Sequence, residues 1–176
     1  MFKKVLIANR GEIALRIIRT CRDMGITTIA LYEESDRGSL HVRLADQCHP
    51  LTTPGGYTDG EAVLQIAREM GADAIHPGYG FLTERSPFIE ACEAAGIAFI
   101  GPPARLVADL ACKVDVMLTA EKAGFKTPPH SAASYGEGEM DAIRAEAERL
   151  GYPVIIKSCM GGRGRGARLV RTRAHL

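Results

Sequence analysis

No stretch of this sequence is apolar for the roughly 18 residues that a membrane helix needs, and no membrane partner is expected. The opening MFKKVLIANRGE has two lysines before an apolar stretch, but that stretch is only VLIA and no small-residue cleavage site follows. It reads as a first strand rather than an export signal. The cysteines are odd in number, five at positions 21, 48, 92, 112 and 159, with no C-x-x-C pair and no His-Cys ligand spacing. That pattern argues against a disulfide framework or a zinc site, and it points to a reducing, cytoplasmic compartment. The dinucleotide fingerprint G-x-G-x-x-G is missing after the first strand, where Gly11 stands alone, and no glycine run is followed by the Lys-Ser or Lys-Thr of a Walker A loop. Acidic residues are missing from 157 to 176, which carry six Lys or Arg, so the first 156 residues hold 16 basic against 21 acidic side chains. A basic, glycine-rich end can meet nucleic acid, but the interleaved aromatics of a single-strand binder are missing too. Nucleic acid is therefore not the expected partner, and phosphate on a small molecule is.

What is present is a chain of 176 residues, 46% hydrophobic and 24% charged, enough for one domain plus a piece of another. KKVLIAN reads as a strand, and the run after it places Ile13, Ile17, Ile18, Cys21 and Met24 at helical spacing, with Gly25 as the stop. ITTIALYE reads as a second strand, SLHVRLAD as a short helical piece, and QCHPL as an edge-like strand ended by Pro50. Thr58 and Glu61 form a capping-box pattern ahead of a helix, ADAIHPGYG gives a strand ending at His76, Ser86 caps a further helix, and IAFIG is the next strand. Repeated β-α alternation predicts an α/β fold with a parallel sheet and helices on both faces over residues 1–101. Residues 103–124 read as helix broken near Cys112–Lys113, FKTPPHS as a linker, EMDAIRAEAERLG as helix, and YPVIIK with ARLVR as the two strands of a hairpin. A second unit thus begins without enough chain to close its own core.

Three places attract chemical readings. The turn Asn9–Ala14 can hold a phosphate at a helix N-terminus, or it can be a tight turn whose Glu12 meets the helix dipole; the single glycine and the negative charge favour the second. The loop His76–Glu84 sits at the carboxyl end of a strand, where ligands bind in such sheets, yet its glycines and polar groups also suit a structural loop, and no nucleophile-base-orienter set is visible. The strongest signal is KSCMGGRGRG: an apolar strand delivers Lys157 into a turn with Gly161, Gly162, Arg163, Gly164 and Arg165. A lysine point charge and closely approaching backbone amides suit phosphate oxygens.

Taken together, ANRGEIALRIIR, SDRGSLHVRLAD, IHPGYGFLTE, FIGP and YPVIIKSCMGGRGRG resemble, in order and spacing, the N-terminal part of biotin carboxylase. That ATP-grasp enzyme is shared by acetyl-CoA, propionyl-CoA, methylcrotonyl-CoA and pyruvate carboxylases, some of them in fatty acid metabolism. The resemblance implies a Rossmann-like pre-ATP-grasp domain at 1–101, a helical connection at 102–126 and the start of an incomplete ATP-grasp lid at 127–176. It implies that Lys157 and the loop residues Gly161, Gly162, Arg163 and Gly164 cover the ATP triphosphate and that Lys113 contacts the nucleotide from the other side. The implied parent reaction carboxylates biotin on a carrier protein with MgATP and bicarbonate, and the family commonly forms homo-oligomers with other carboxylase subunits. Its magnesium and bicarbonate residues belong to a C-terminal domain, so no catalytic or metal residue is assigned within this chain, and the isolated chain is expected to be inactive. Carbamoyl phosphate synthetase is a more distant relative.

Two departures stand out. Arg163 occupies a position where the family usually has glycine, and Ala111-Cys112-Lys113 replaces Gly-Asp-Lys or Gly-Ser-Lys. They leave open a second function, a short non-catalytic module that binds nucleotide or carboxylase subunits. The polar stripe of Arg16, Arg19 and Asp23 on the first helix would serve a partner or water, and solvent is the simpler reading.

Overall fold

The computed structural model describes residues 1–158 and 166–176. These divide into two compact units, Met1–Ala108 and Asp109–Leu176.

The first unit is an α/β layer structure around a parallel sheet of five strands: β1 (Lys4–Ile7), β2 (Thr27–Tyr32), β3 (Gln47–Pro50), β4 (Ala74–His76) and β5 (Ala98–Phe99), in the order β3-β2-β1-β4-β5. All four pairings are parallel; Val5 lies opposite Thr28 on one side and Ala74 on the other. Four helices alternate with the strands: α1 (Gly11–Asp23), α2 (Leu40–Leu44), α3 (Gly60–Glu69) and α4 (Ser86–Ala94). The period-two pattern of β1 shows why both faces are covered. Val5 and Ile7 pack with Ala14, Ile17, Ile18 and Cys21 of α1, while Leu6 and Ala8 join the opposite cluster with Val63, Leu64, Ile66 and Ala67 of α3 and Phe88 and Cys92 of α4. Strands buried on both faces are largely apolar, which is why VLIA and IAL read as continuous hydrophobic runs. The strand order reverses between β1 and β4, the switch point at which such sheets leave a crevice beyond their carboxyl ends.

Polar latches fix the layers. Thr28 gives both its amide and its hydroxyl to Asp46 Oδ2, each at 2.8 Å, tying the residue before β3 to β2. At the same amino-terminal edge of the sheet, Asp73 accepts the amides of Lys3 and Lys4.

Two helix starts differ from the sequence expectation. The cap of α3 is Asp59, whose carboxylate accepts the Ala62 amide at 3.1 Å, and not Thr58. Thr58 ends a short 3-10 turn and turns its hydroxyl back to the Gly55 carbonyl at 2.7 Å, so it is already committed. Ser86 is the first residue of α4 rather than its cap, which is Arg85; Pro87 sits in the first turn, where its missing N–H costs nothing.

α5 (Ala104–Asp109) and α6 (Lys113–Lys122) are separated at 110–112, the break expected near Cys112–Lys113. The second unit continues with α7 (Met140–Leu150) and the antiparallel pair β6 (Val154–Ile156) and β7 (Arg168–Val170), with Val154 opposite Val170. This unit has a thin core. Among its described residues only Ala147 and Val170 are buried hydrophobics, while Ile155 and Leu169 are 60% and 52% exposed. No described helix is long and apolar enough to cross a membrane.

Candidate functional site

In the first unit the ends of β1, β2 and β4 converge on a polar cluster. Asn9, one residue beyond the buried Ala8, is 3% exposed. Its Nδ2 donates to the Pro77 carbonyl at 2.7 Å and to the Tyr79 carbonyl at 2.9 Å, and its Oδ1 accepts the Arg10 amide at 2.9 Å. One carboxamide therefore holds the turn after β1 to the loop after β4. Gly78 makes this approach feasible: its φ is +66°, and a Cβ there would lie 2.6 Å from both Asn9 Nδ2 and Ile13 Cγ2. Its amide donates to His76 Nδ1 at 3.1 Å, so the imidazole proton sits on Nε2, and burial pushes the His76 pKa below its ordinary value. The ring is neutral, with one fixed tautomer.

Next to this latch, the Arg10 guanidinium pairs with the buried carboxylate of Asp36, a residue after β2. Tyr57 completes the group by donating its hydroxyl toward the Leu31 carbonyl at 2.9 Å and Asp36 Oδ2 at 3.1 Å. Burial, then the neighbouring Asp36 carboxylate, raises the Tyr57 pKa far above the usual phenol value, so it stays a donor. Its ring packs against Phe81 with centroids 5.3 Å apart. Tyr79 reaches Glu12 Oε1 with its hydroxyl at 3.3 Å.

The turn Asn9–Ala14 thus has its charged groups engaged within the protein, Arg10 by Asp36 and Glu12 by Tyr79, which supports the structural reading of that turn. The loop His76–Glu84 likewise satisfies its own backbone through His76 and Asn9. Asn9, Arg10 and Asp36 fall within ANRGEIALRIIR and SDRGSLHVRLAD, where no local pattern marks them as a cluster. The available signal was positional: Arg10 and Asp36 follow β1 and β2, which are neighbouring parallel strands.

In the second unit, Lys113 opens α6 and Lys157 follows β6 directly, exposed. The Lys113 ammonium donates to the carbonyl of Ser158 at 3.3 Å, so the structure brings it to the backbone immediately beside Lys157. Cys112, at the cap position of α6, lies with its Sγ 3.3 Å from Ser134 Oγ. Lys113 thus touches the backbone one residue beyond Lys157, and a pair of ammonium groups on neighbouring elements would suit a polyanion. Gly161, Gly162, Arg163 and Gly164 lie outside the described residues.

Residues 1–107 match the family described as biotin carboxylase, N-terminal domain, and residues 113–176 match the carbamoyl-phosphate synthase L chain, ATP binding domain. The methylcrotonoyl-CoA carboxylase subunit alpha of Dictyostelium discoideum is 45% identical over 174 residues, covering 95% of this chain and 24% of that protein. Biotin carboxylase 1 of Bacillus subtilis is 43% identical over 179 residues, covering all of this chain and 39% of its own length. Among solved structures, the biotin carboxylase domain dimer of the Hydrogenobacter thermophilus 2-oxoglutarate carboxylase, in complex with MgADP, ADP and bicarbonate, superposes with a TM-score of 0.92. It is 40% identical and covers 99% of this chain and 39% of that one. A β-γ-ATP complex of biotin carboxylase from Campylobacter jejuni gives 0.89 at 37% identity, with the same coverage. The chain thus spans between about a quarter and two fifths of the length of these relatives. Through residues 1–107, which carry the five-stranded sheet and the Asn9 latch, the chain belongs to the biotin carboxylase N-terminal domain family.

Proposed function

We propose that this chain supplies the N-terminal, nucleotide-binding part of a biotin carboxylase, a ligase that uses MgATP and bicarbonate to carboxylate biotin on a carrier protein. The observation that supports the reading is the hydrogen bond from Lys113 to the Ser158 carbonyl, which links the start of α6 to the backbone next to Lys157. Residues 1–101 act as the pre-ATP-grasp domain, 102–126 as the connection and 127–176 as the beginning of the lid. Lys113 and Lys157 act as point charges on phosphate oxygens, and Gly161, Gly162, Arg163 and Gly164 cover the triphosphate with backbone amides and one extra cation. Magnesium, when bound, neutralises and orients the phosphates; the residues that hold it and those that fix bicarbonate are proposed to lie outside these 176 positions.

The proposed partners are carboxylase subunits, the biotin carrier and a second copy of the enzyme. The relatives' names include bacterial and mitochondrial proteins. The free Cys21, Cys48, Cys92 and Cys112 favour a reducing, cytoplasmic setting.

The test is reconstitution. This chain is combined with the segment of the Bacillus subtilis enzyme that lies beyond the matched region, and bicarbonate-dependent ATP cleavage and biotin carboxylation are followed. Neither piece alone should turn over, their mixture should, and Lys113→Ala with Lys157→Ala should abolish the recovered activity. A folded but inactive mixture would instead favour a non-catalytic module, the reading prompted by Arg163 and Cys112.

A further inference from the structure

The linker before α7 contains a histidine whose surroundings fix its charge. The two prolines restrict the backbone of Thr127 and Pro128 ahead of His130, and the segment lines a cleft of about 320 Å³ together with Leu118 of α6 and Leu150 of α7. His130 presents Nδ1 to the Ser131 carbonyl at 2.7 Å and Nε2 to Glu121 Oε1 of α6 at 3.1 Å. Both partners only accept. A neutral imidazole has one donor, so it satisfies one of these contacts and sets a lone pair against the other oxygen. The Glu121 carboxylate also accepts the Thr127 hydroxyl, which suits its ionised form. From the other side, α7 contributes Arg149, whose Nη2 donates to the His130 carbonyl at 2.9 Å, and Glu146, which pairs with Arg149 and accepts the Ala132 amide.

We propose that His130 is a proton-operated clasp: as an imidazolium it bonds both the Ser131 carbonyl and Glu121 of α6, while Arg149 ties the same residue to α7, and loss of one proton leaves a single N–H, so that one of the two ring contacts is given up and the linker loosens. The charged groups facing it are Glu121 from α6 and Glu146 and Arg149 from α7, two carboxylates against one guanidinium. The Ser131 carbonyl, followed by Glu121, raises the His130 pKa, while slight desolvation and Arg149 oppose the rise. A group whose pKa is higher folded than unfolded stabilises the folded state fully below its unfolded value and loses that contribution as pH rises through the folded value. The clasp is therefore closed in mild acid and opens above the ordinary imidazole value of 6.5. This device rests on the second unit's own contacts and stands apart from the carboxylase reading.

The test is a proton-nitrogen NMR titration of the histidine rings in the full 176-residue chain. His130 should carry protons on both nitrogens in mild acid and titrate above the ordinary imidazole range. Glu121→Gln should move that titration downward. Amide exchange at Ser131 and Ala132, corrected for the intrinsic rise with pH, should accelerate several-fold across the same interval and become flat in Glu121→Gln. Titration of His130 at or below the ordinary value in the unaltered chain would overturn the clasp, as would a corrected exchange rate that ignores its titration.

Discussion

Asn9 has its carboxamide fully used, with two donated hydrogen bonds and one accepted bond in a nearly dry site. Replacing it with Ala removes the bonds it gives to the Pro77 and Tyr79 carbonyls, and chemical denaturation should show a loss of about 1–3 kcal/mol. Gly78→Ala faces two penalties, the positive φ and a Cβ within 2.6 Å of Asn9 and Ile13, and should cost a comparable amount, about 1–3 kcal/mol. Asp46 supplies a pH signature. The amide and hydroxyl of Thr28 hold its carboxyl below the ordinary value, so its contribution is present above the unfolded Asp value of 3.8 and lost as pH falls through the lower folded one. Asp46→Asn should therefore be less stable than the parent near neutrality, with the difference shrinking in stronger acid; unfolding curves at about pH 7 and about pH 3 read it directly. The expectation for the glycine loop came from lysine, glycine and arginine standing together in one run, and Gly161 to Gly164 lie outside the described residues. Asn9, Asp36 and Tyr57 were not legible in the sequence, because their roles depend on strand ends brought together by pairing that no local pattern records.

The long helices and the sheet were legible from periodicity: apolar positions at helical spacing marked α1 and α3, and unbroken apolar runs marked β1 and β2. Helix starts were less so, because Thr58 and Asp59 are both good caps and the choice falls to the residue at which the preceding 3-10 turn ends. Asp59→Ala should therefore destabilise the first unit by about 1 kcal/mol, whereas Thr58→Val should cost less. A measured order in which Thr58 matters more would contradict this assignment of the cap. The ribbon of β6 and β7 was also readable as a hairpin, but pairing alone does not give it a core: Ile155 and Leu169 remain exposed.

Taken unit by unit, stability should be uneven. The first unit buries apolar residues on both faces of its sheet, while the second has two buried hydrophobics among its described residues. Hydrogen exchange should show near-global protection in β1, β2 and β4 and little in α6, α7, β6 and β7. Uniform protection through both units would mean that the second has a core its burial pattern does not show. The central claim is nucleotide binding by the second unit, and calorimetric titration of the 176-residue chain with MgATP tests it most directly, beside its Lys113→Ala, Lys157→Ala double variant. The expected result is binding by the parent that is lost, or weakened at least about tenfold, in the variant, since each charge-assisted contact contributes on the order of 1.5–3 kcal/mol. No binding by the parent, or equal binding by both chains, would contradict it.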